Sequence, residues 1–188
     1  MEIFFEKGEL TIDQMRAGLS AGIAAGTAYP VFCLSAKRDI GVKRLMEFII
    51  NVVPAPSKKE AKLKNGGTVK FDASAPTSLF VFKTAQEQHL GDVTYFKVIT
   101  GTLKEGDDLI NPETGNKERI SAIYAVAGKK REKVSEVHAG DIACTVKLKS
   151  VKSNQTLCAP GCDNVYEPTQ YPAPKYRTAI KAKEEKDE

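Results

Sequence analysis

The chain has 188 residues, of which 41% are hydrophobic and 28% charged, with a formal net charge of +4. That is enough apolar material for one or two small folded cores, but less basic than the domains that exist only to bind nucleic acid. No run reaches the roughly 18 consecutive apolar residues of a membrane span. The start, Met1-Glu2-Ile3-Phe4-Phe5-Glu6-Lys7, lacks the basic and apolar regions of a signal peptide, so a soluble, cytoplasmic protein with no membrane partner is expected.

Along the chain, the first pattern is helical. Thr11 and Gln14 stand three residues apart, where each side chain can satisfy the other's backbone amide, and Leu10 and Met15 occupy the positions of a hydrophobic staple. Ile12, Met15, Leu19 and Ile23 carry one apolar stripe onward, and Gly26 is the predicted end. The unbroken apolar run Tyr29-Pro30-Val31-Phe32-Cys33-Leu34 predicts a strand buried on both faces. A second helix is predicted from about Ile40, with Val42, Leu45, Met46, Ile49 and Val53 on one side, stopped by Pro54 and Pro56. Helix, buried strand, helix is the pattern of an α/β sheet, yet a lone strand leaves its backbone groups unpaired. Residues 1–53 therefore read as the tail of a larger α/β domain, or as a helical pair packed directly on the next domain. In either case the apolar surface should be covered, by the rest of the chain or by self-association.

Residues 54–67, rich in Pro, Lys and Gly, read as a linker. From Thr68 the pattern changes to short strands, predicted at 68–72, 78–84, 93–100, 107–111, 118–126 and 141–148. Turn sequences such as Glu105-Gly106-Asp107, Pro112-Glu113-Thr114-Gly115 and Ala139-Gly140-Asp141 separate them. The expected fold class is mainly β, a closed antiparallel six-stranded β-barrel over 68–156, since closure removes the open edges of so many short strands. Residues 157–188, with prolines and a charged end, read as a connector.

Few residues suggest chemistry. Cys33 and Cys144 lie in apolar runs and read as small buried hydrophobes. Cys158 and Cys162 flank Ala159-Pro160-Gly161, but a metal site would need two more ligands and the only histidines, His89 and His138, are remote in sequence. Free thiols, no metal and no catalytic residue are expected. His138 has no acid or nucleophile at a motif spacing. Lys117 and Arg119 flank a turn, and Lys129, Lys130 and Arg131 follow Gly128 in a basic loop; both groups are candidates to meet RNA phosphates.

Several words, in order, resemble elongation factor G. Tyr29-Pro30-Val31-Phe32-Cys33-Leu34-Ser35-Ala36-Lys37 is similar to the last strand of that family's G domain and its Ser-Ala nucleotide motif. Gly41-Val42 to Val53, with Pro54-Ala55-Pro56, resembles the final G-domain helix and its exit. Phe80-Val81-Phe82-Lys83, Gly91-Asp92-Val93-Thr94-Tyr95-Phe96-Lys97-Val98, Thr100-Gly101-Thr102-Leu103 and Ala139-Gly140-Asp141-Ile142 resemble domain II, and the Glu167-Pro168 region resembles the strand leading to domain III.

The resemblance implies a fragment of a translational GTPase. It would comprise a G-domain remnant (1–53), a linker (54–67), domain II (68–156) and a connector toward domain III (157–188), acting in ribosomal translocation. Its implied partners are small-subunit RNA and the parent chain's other domains, with domain II relaying the state of the G domain. Ser35, Ala36 and Lys37 would be the guanine-side motif in the intact protein, which would bind GTP and GDP. No Gly-x-x-x-x-Gly-Lys-Ser/Thr loop occurs in the chain, so this segment alone is expected to hold no nucleotide and to be inactive as an enzyme. Divergent words such as Gln86-Glu87-Gln88-His89 and Ser153-Asn154-Gln155-Thr156 leave open a ribosomal protection protein. A self-standing RNA-binding barrel and a purely structural interaction domain also remain open.

Overall fold

A computed structural model describes residues 2–87, 91–128 and 130–184. Helix α1 (Glu2–Lys7) precedes α2 (Ile12–Ala25), which begins as its sequence predicts. Gln14 N–H donates to Thr11 Oγ1 at 3.3 Å, and Thr11 N–H donates to Gln14 Oε1 at 3.0 Å. Gly26 ends the helix at φ 70°, a left-handed conformation that glycine adopts without a Cβ penalty. Helix α3 (Val42–Val52) comes next, and its only buried residue is Val52. Among the described residues no helix is long and apolar enough to cross a membrane.

The buried strand expected at 30–34 does not form. The segment is extended but unpaired, and Val31 is 91% exposed. Its sequence has strand character, but none of the described residues offers it a ladder; the nearest pairing is the isolated Ser35–Ile40 bridge. Phe32 finds one partner, the edge of Phe48 at 4.9 Å between ring centroids. Cys33, expected inside, is exposed for the same reason.

The stretch expected to be a linker, 54–67, supplies a strand, β1 (Glu60–Lys62), which pairs with β2 (Thr68–Lys70), where a strand was expected. The long strands β3 (Ser78–Glu87) and β4 (Gly91–Thr100) are the centre of the molecule. Then come β5 (Thr102–Lys104), β6 (Asp108–Ile110), β7 (Lys117–Arg119), β8 (Ile123–Ala127), β9 (Lys130–Val134), β10 (Glu136–His138), β11 (Ile142–Val146) and β12 (Thr156–Cys158). Eight strands make one antiparallel sheet in the order β7-β6-β12-β3-β4-β11-β8-β9.

This architecture corrects the expected closed six-stranded barrel. Among the described residues the sheet is open, with β7 and β9 as unpaired edges, and β5 pairs only with β10 as a separate two-stranded ladder. The core is covered in another way. Leu103 of β5 and Val137 of β10 join Leu79, Val81, Phe96 and Val98 of the central strands, so the small ladder packs on the core without extending the large sheet. The exposed edges are managed by charge and brevity: β7 is Lys-Glu-Arg, and β9 opens Lys-Arg-Glu-Lys. The single strand expected at 118–126 is two, because residues 120–122 carry the chain from one edge of the sheet toward the other.

Gly101 shows why one of the turn words needs glycine. It sits at φ 75°, and an added Cβ would lie 2.5 Å from the Thr77 Cα. Backbone approaches backbone here, and no side chain fits.

The connector is tied down at its start. Tyr166 is buried, and its hydroxyl meets Ser78 Oγ, which in turn bonds Thr100 Oγ1 at 2.6 Å. Lys64 N–H donates to Val165 O and Glu167 N–H to Lys62 O, clamping this segment against β1.

Candidate nucleic-acid interface

Strand β7 alternates out, in, out. Glu118 is only 4% exposed, while Lys117 and Arg119 are exposed on either side of it. A buried carboxylate is costly unless it is hydrogen-bonded, and Glu118 is well supplied. It accepts from Lys149 N–H at 3.0 Å, Ser150 N–H at 2.9 Å and the Ser150 hydroxyl at 2.8 Å. This clasp holds the segment after β11 against the sheet edge. Lys147 is already turned by a left-handed backbone at φ 65°, with its N–H donating to Asp92 O.

The result is a cleft of about 580 Å³ lined by Lys117, Arg119, Lys147 and Lys149, with Asp108, Glu118, Ile110 and Pro160 among its other walls. Arg119 lies 3.5 Å from Asp108, an exposed pair that solvent screens. Lys117, Lys147 and Lys149 have no ion-pair partner among the described residues. Glu118 spends its charge on amides. What faces solvent is predominantly positive, the sign that phosphate contacts require.

The second predicted basic group is arranged differently. Arg131 bonds Glu87 and the Tyr95 hydroxyl, the latter at 2.9 Å. Glu87, then Tyr95, hold its guanidinium well above the usual arginine range, and the Arg131 hydrogen bond holds the Glu87 carboxyl below the usual carboxylate range. Lys133 is likewise engaged, 2.8 Å from Glu105, which raises its pKa. Lys130 is exposed at the start of β9; Lys129 lies outside the described residues. Thus the structure brings Lys117 and Arg119 together with Lys147 and Lys149, and leaves Lys130 and Arg131 on a separate surface. Sequence reasoning missed Lys147 and Lys149. Their signal was the alternation Lys147-Leu148-Lys149, with Leu148 buried between two exposed lysines.

Ser35, Ala36 and Lys37 form a tight turn. Ser35 precedes a single 3-10 turn, Ala36–Arg38, and exchanges both backbone hydrogen bonds with Ile40. The Ser35 amide is therefore engaged, while those of Ala36 and Lys37 open the turn, where a helical segment leaves its amides without internal partners. The chain has no glycine-rich loop to hold phosphates. Among the described residues no three or more His, Cys, Asp or Glu side chains cluster to hold a metal.

The open antiparallel sheet thus carries a basic cleft at one edge. Residues 76–160 match the family described as Elongation factor G domain 2, so the chain carries a domain-2-like region of that family across its main sheet. One solved structure to which it is similar is the crystal structure of ttk003000868 from Thermus thermophilus. The likeness has a TM-score of 0.68 at 25% identity, and covers 93% of this chain and 24% of that one. The chain therefore spans about a quarter of the length of this relative.

Proposed function

We propose that the chain is a segment of an elongation factor G-like translational GTPase acting in ribosomal translocation. Its β domain contacts small-subunit ribosomal RNA through the cleft of Lys117, Arg119, Lys147 and Lys149, and relays the state of a nucleotide-binding domain. In this reading residues 1–53 are the end of that nucleotide-binding domain, 54–67 a linker, 68–156 domain II and 157–188 a connector. Ser35, Ala36 and Lys37 belong to the guanine side of the intact protein's GTP site, and hydrolysis is a property of that intact cytoplasmic protein. The observation that carries the reading is the cleft inside the segment that matches domain 2. There the buried Glu118, between Lys117 and Arg119 on β7, accepts from the Lys149 and Ser150 amides, and Lys117, Lys147 and Lys149 have no ion-pair partner among the described residues.

The test is fluorescence anisotropy with a labelled small-subunit RNA fragment at two salt concentrations. Binding should weaken by about a decade or more with a few-fold rise in salt, because phosphate contacts release counterions. Binding that ignores salt, or no binding at low salt, contradicts the proposal. A second reading, a self-standing RNA-binding module unrelated to GTP, is favoured by the cleft's lying wholly outside residues 1–53. It predicts the same RNA binding and no effect of guanine nucleotide on the longest natural form of the protein.

A further inference from the structure

Cys158 ends β12, fully buried, with Ser78 and Ile110 as its strand partners. Its Sγ donates to Asn164 O at 3.2 Å. The chain then reverses through Ala159-Pro160-Gly161, where Gly161 takes φ 85° and Cys162 N–H donates to Ala159 O at 3.1 Å. This turn returns Cys162 toward its predecessor, near enough that the buried Cys158 thiol feels it. Cys162 is half-buried, whereas Cys158 is buried. Pro160, at the crest of the turn, is a wall of the basic cleft.

We infer that Cys158 and Cys162 are a reversible thiol–disulfide site built into the wall of that cleft. The co-reactant is a hydroperoxide. The Cys162 thiolate attacks the terminal oxygen of hydrogen peroxide; the O–O bond breaks, Cys162 becomes a sulfenic acid, and hydroxide leaves and is protonated to water. Cys158 then gives up its proton and attacks the Cys162 sulfur, the S–O bond breaks, and a second water leaves. Two thiols have lost two electrons and two protons, and one peroxide has become two waters. The order of attack is set by position. Burial, then the neighbouring Cys162, push the Cys158 thiol up, so it is a poor first nucleophile and serves as the resolving sulfur. A small dithiol reverses the reaction by exchange. The inference stands on the turn itself and does not depend on the RNA reading.

The experiment treats the full chain, carrying Cys33→Ser so that the exposed thiol cannot link molecules, with hydrogen peroxide. The product is alkylated in denaturant and mapped with trypsin. The peptide spanning residues 153–175 contains both cysteines and no internal basic residue. It should lose two hydrogens, resist alkylation, and regain both thiols with dithiothreitol, while Cys144 stays reduced. Formation should quicken as pH rises, and the half-exposed Cys162→Ser variant should show no such peptide. Two alkylatable thiols in the peptide after treatment, irreversible oxygen uptake without a crosslink, or pairing with Cys144 would each overturn the inference.

Discussion

The two halves of this molecule use similar residues to different ends. Residues 28–53 contain an apolar run and an amphipathic helix, much as residues 78–100 contain two apolar strands. Yet Val31 is 91% exposed and Val81 is not exposed at all. The difference is supply of partners. Val81 sits on β3, hydrogen-bonded to β4 on one side and β12 on the other, with β5 and β10 packed over its face. Val31 has none of these. An apolar run specifies burial only where other chain segments satisfy its backbone and cover its side chains.

The strongest way to break this comparison is to remove one side chain from each half. Phe96→Ala empties a fully buried position in the core of the sheet and should cost about 3–5 kcal/mol. Ile50→Ala, at a position 75% exposed on α3, should cost less than about 0.5 kcal/mol. Urea unfolding reads both. Equal losses would show that α3 is packed in solution, which self-association through its apolar face would achieve.

Gly101→Ala asks whether a turn word of the sequence is backbone chemistry. The added methyl meets Thr77 backbone and the left-handed φ together, and the cost should be about 2–4 kcal/mol. An unchanged midpoint would mean the turn relaxes freely.

A smaller effect separates the halves by pH. Burial pushes the Tyr166 phenol from 10.0 up to about 12. The fold favours the protonated form, so this contribution is fully present below pH 10 and is lost as pH rises through about 12. Burial of the Cys158 thiol acts in the same direction. Unfolding of the sheet followed by tyrosine signals across this window should show falling stability, and Tyr166→Phe should flatten the fall. A profile identical in that variant would remove Tyr166 from the account.

Thr11→Ala acts on α2 alone. It deletes the side-chain half of the cap on α2, worth about 1 kcal/mol to the helix. Because α2 buries no residue, the main unfolding transition should stay where it is while helical circular dichroism falls. A shift of the main transition would couple the halves.

Local chemistry was legible in the sequence, and long-range geometry was not. The cap at Thr11, the stop at Gly26 and the centres of β3 and β4 depend on neighbours a few residues away. Closure depends on whether β7 and β9 meet, and period-two alternation is the same in an open sheet and a barrel. The strand predicted at 118–126 breaks at 120–122 because Ile120 and Ala122 are buried where the chain crosses the molecule, which in sequence reads as continued alternation. Lys117 and Arg119 were visible beside their turn. Lys149 joins them through Glu118 and Lys147 through Asp92, contacts across some thirty and fifty residues that the sequence does not announce.

If the basic cleft, and not the β9 surface, faces RNA as proposed, charge reversal at the two surfaces should have different effects. The most direct test compares Lys147→Glu combined with Lys149→Glu against Lys130→Glu, in binding to isolated small ribosomal subunits across a salt series. The double variant should lose affinity and lower the salt slope by about two, one unit for each phosphate contact removed. Lys130→Glu should stay close to the unmodified chain. The opposite ranking, or equal loss in both, would contradict the assignment of the cleft.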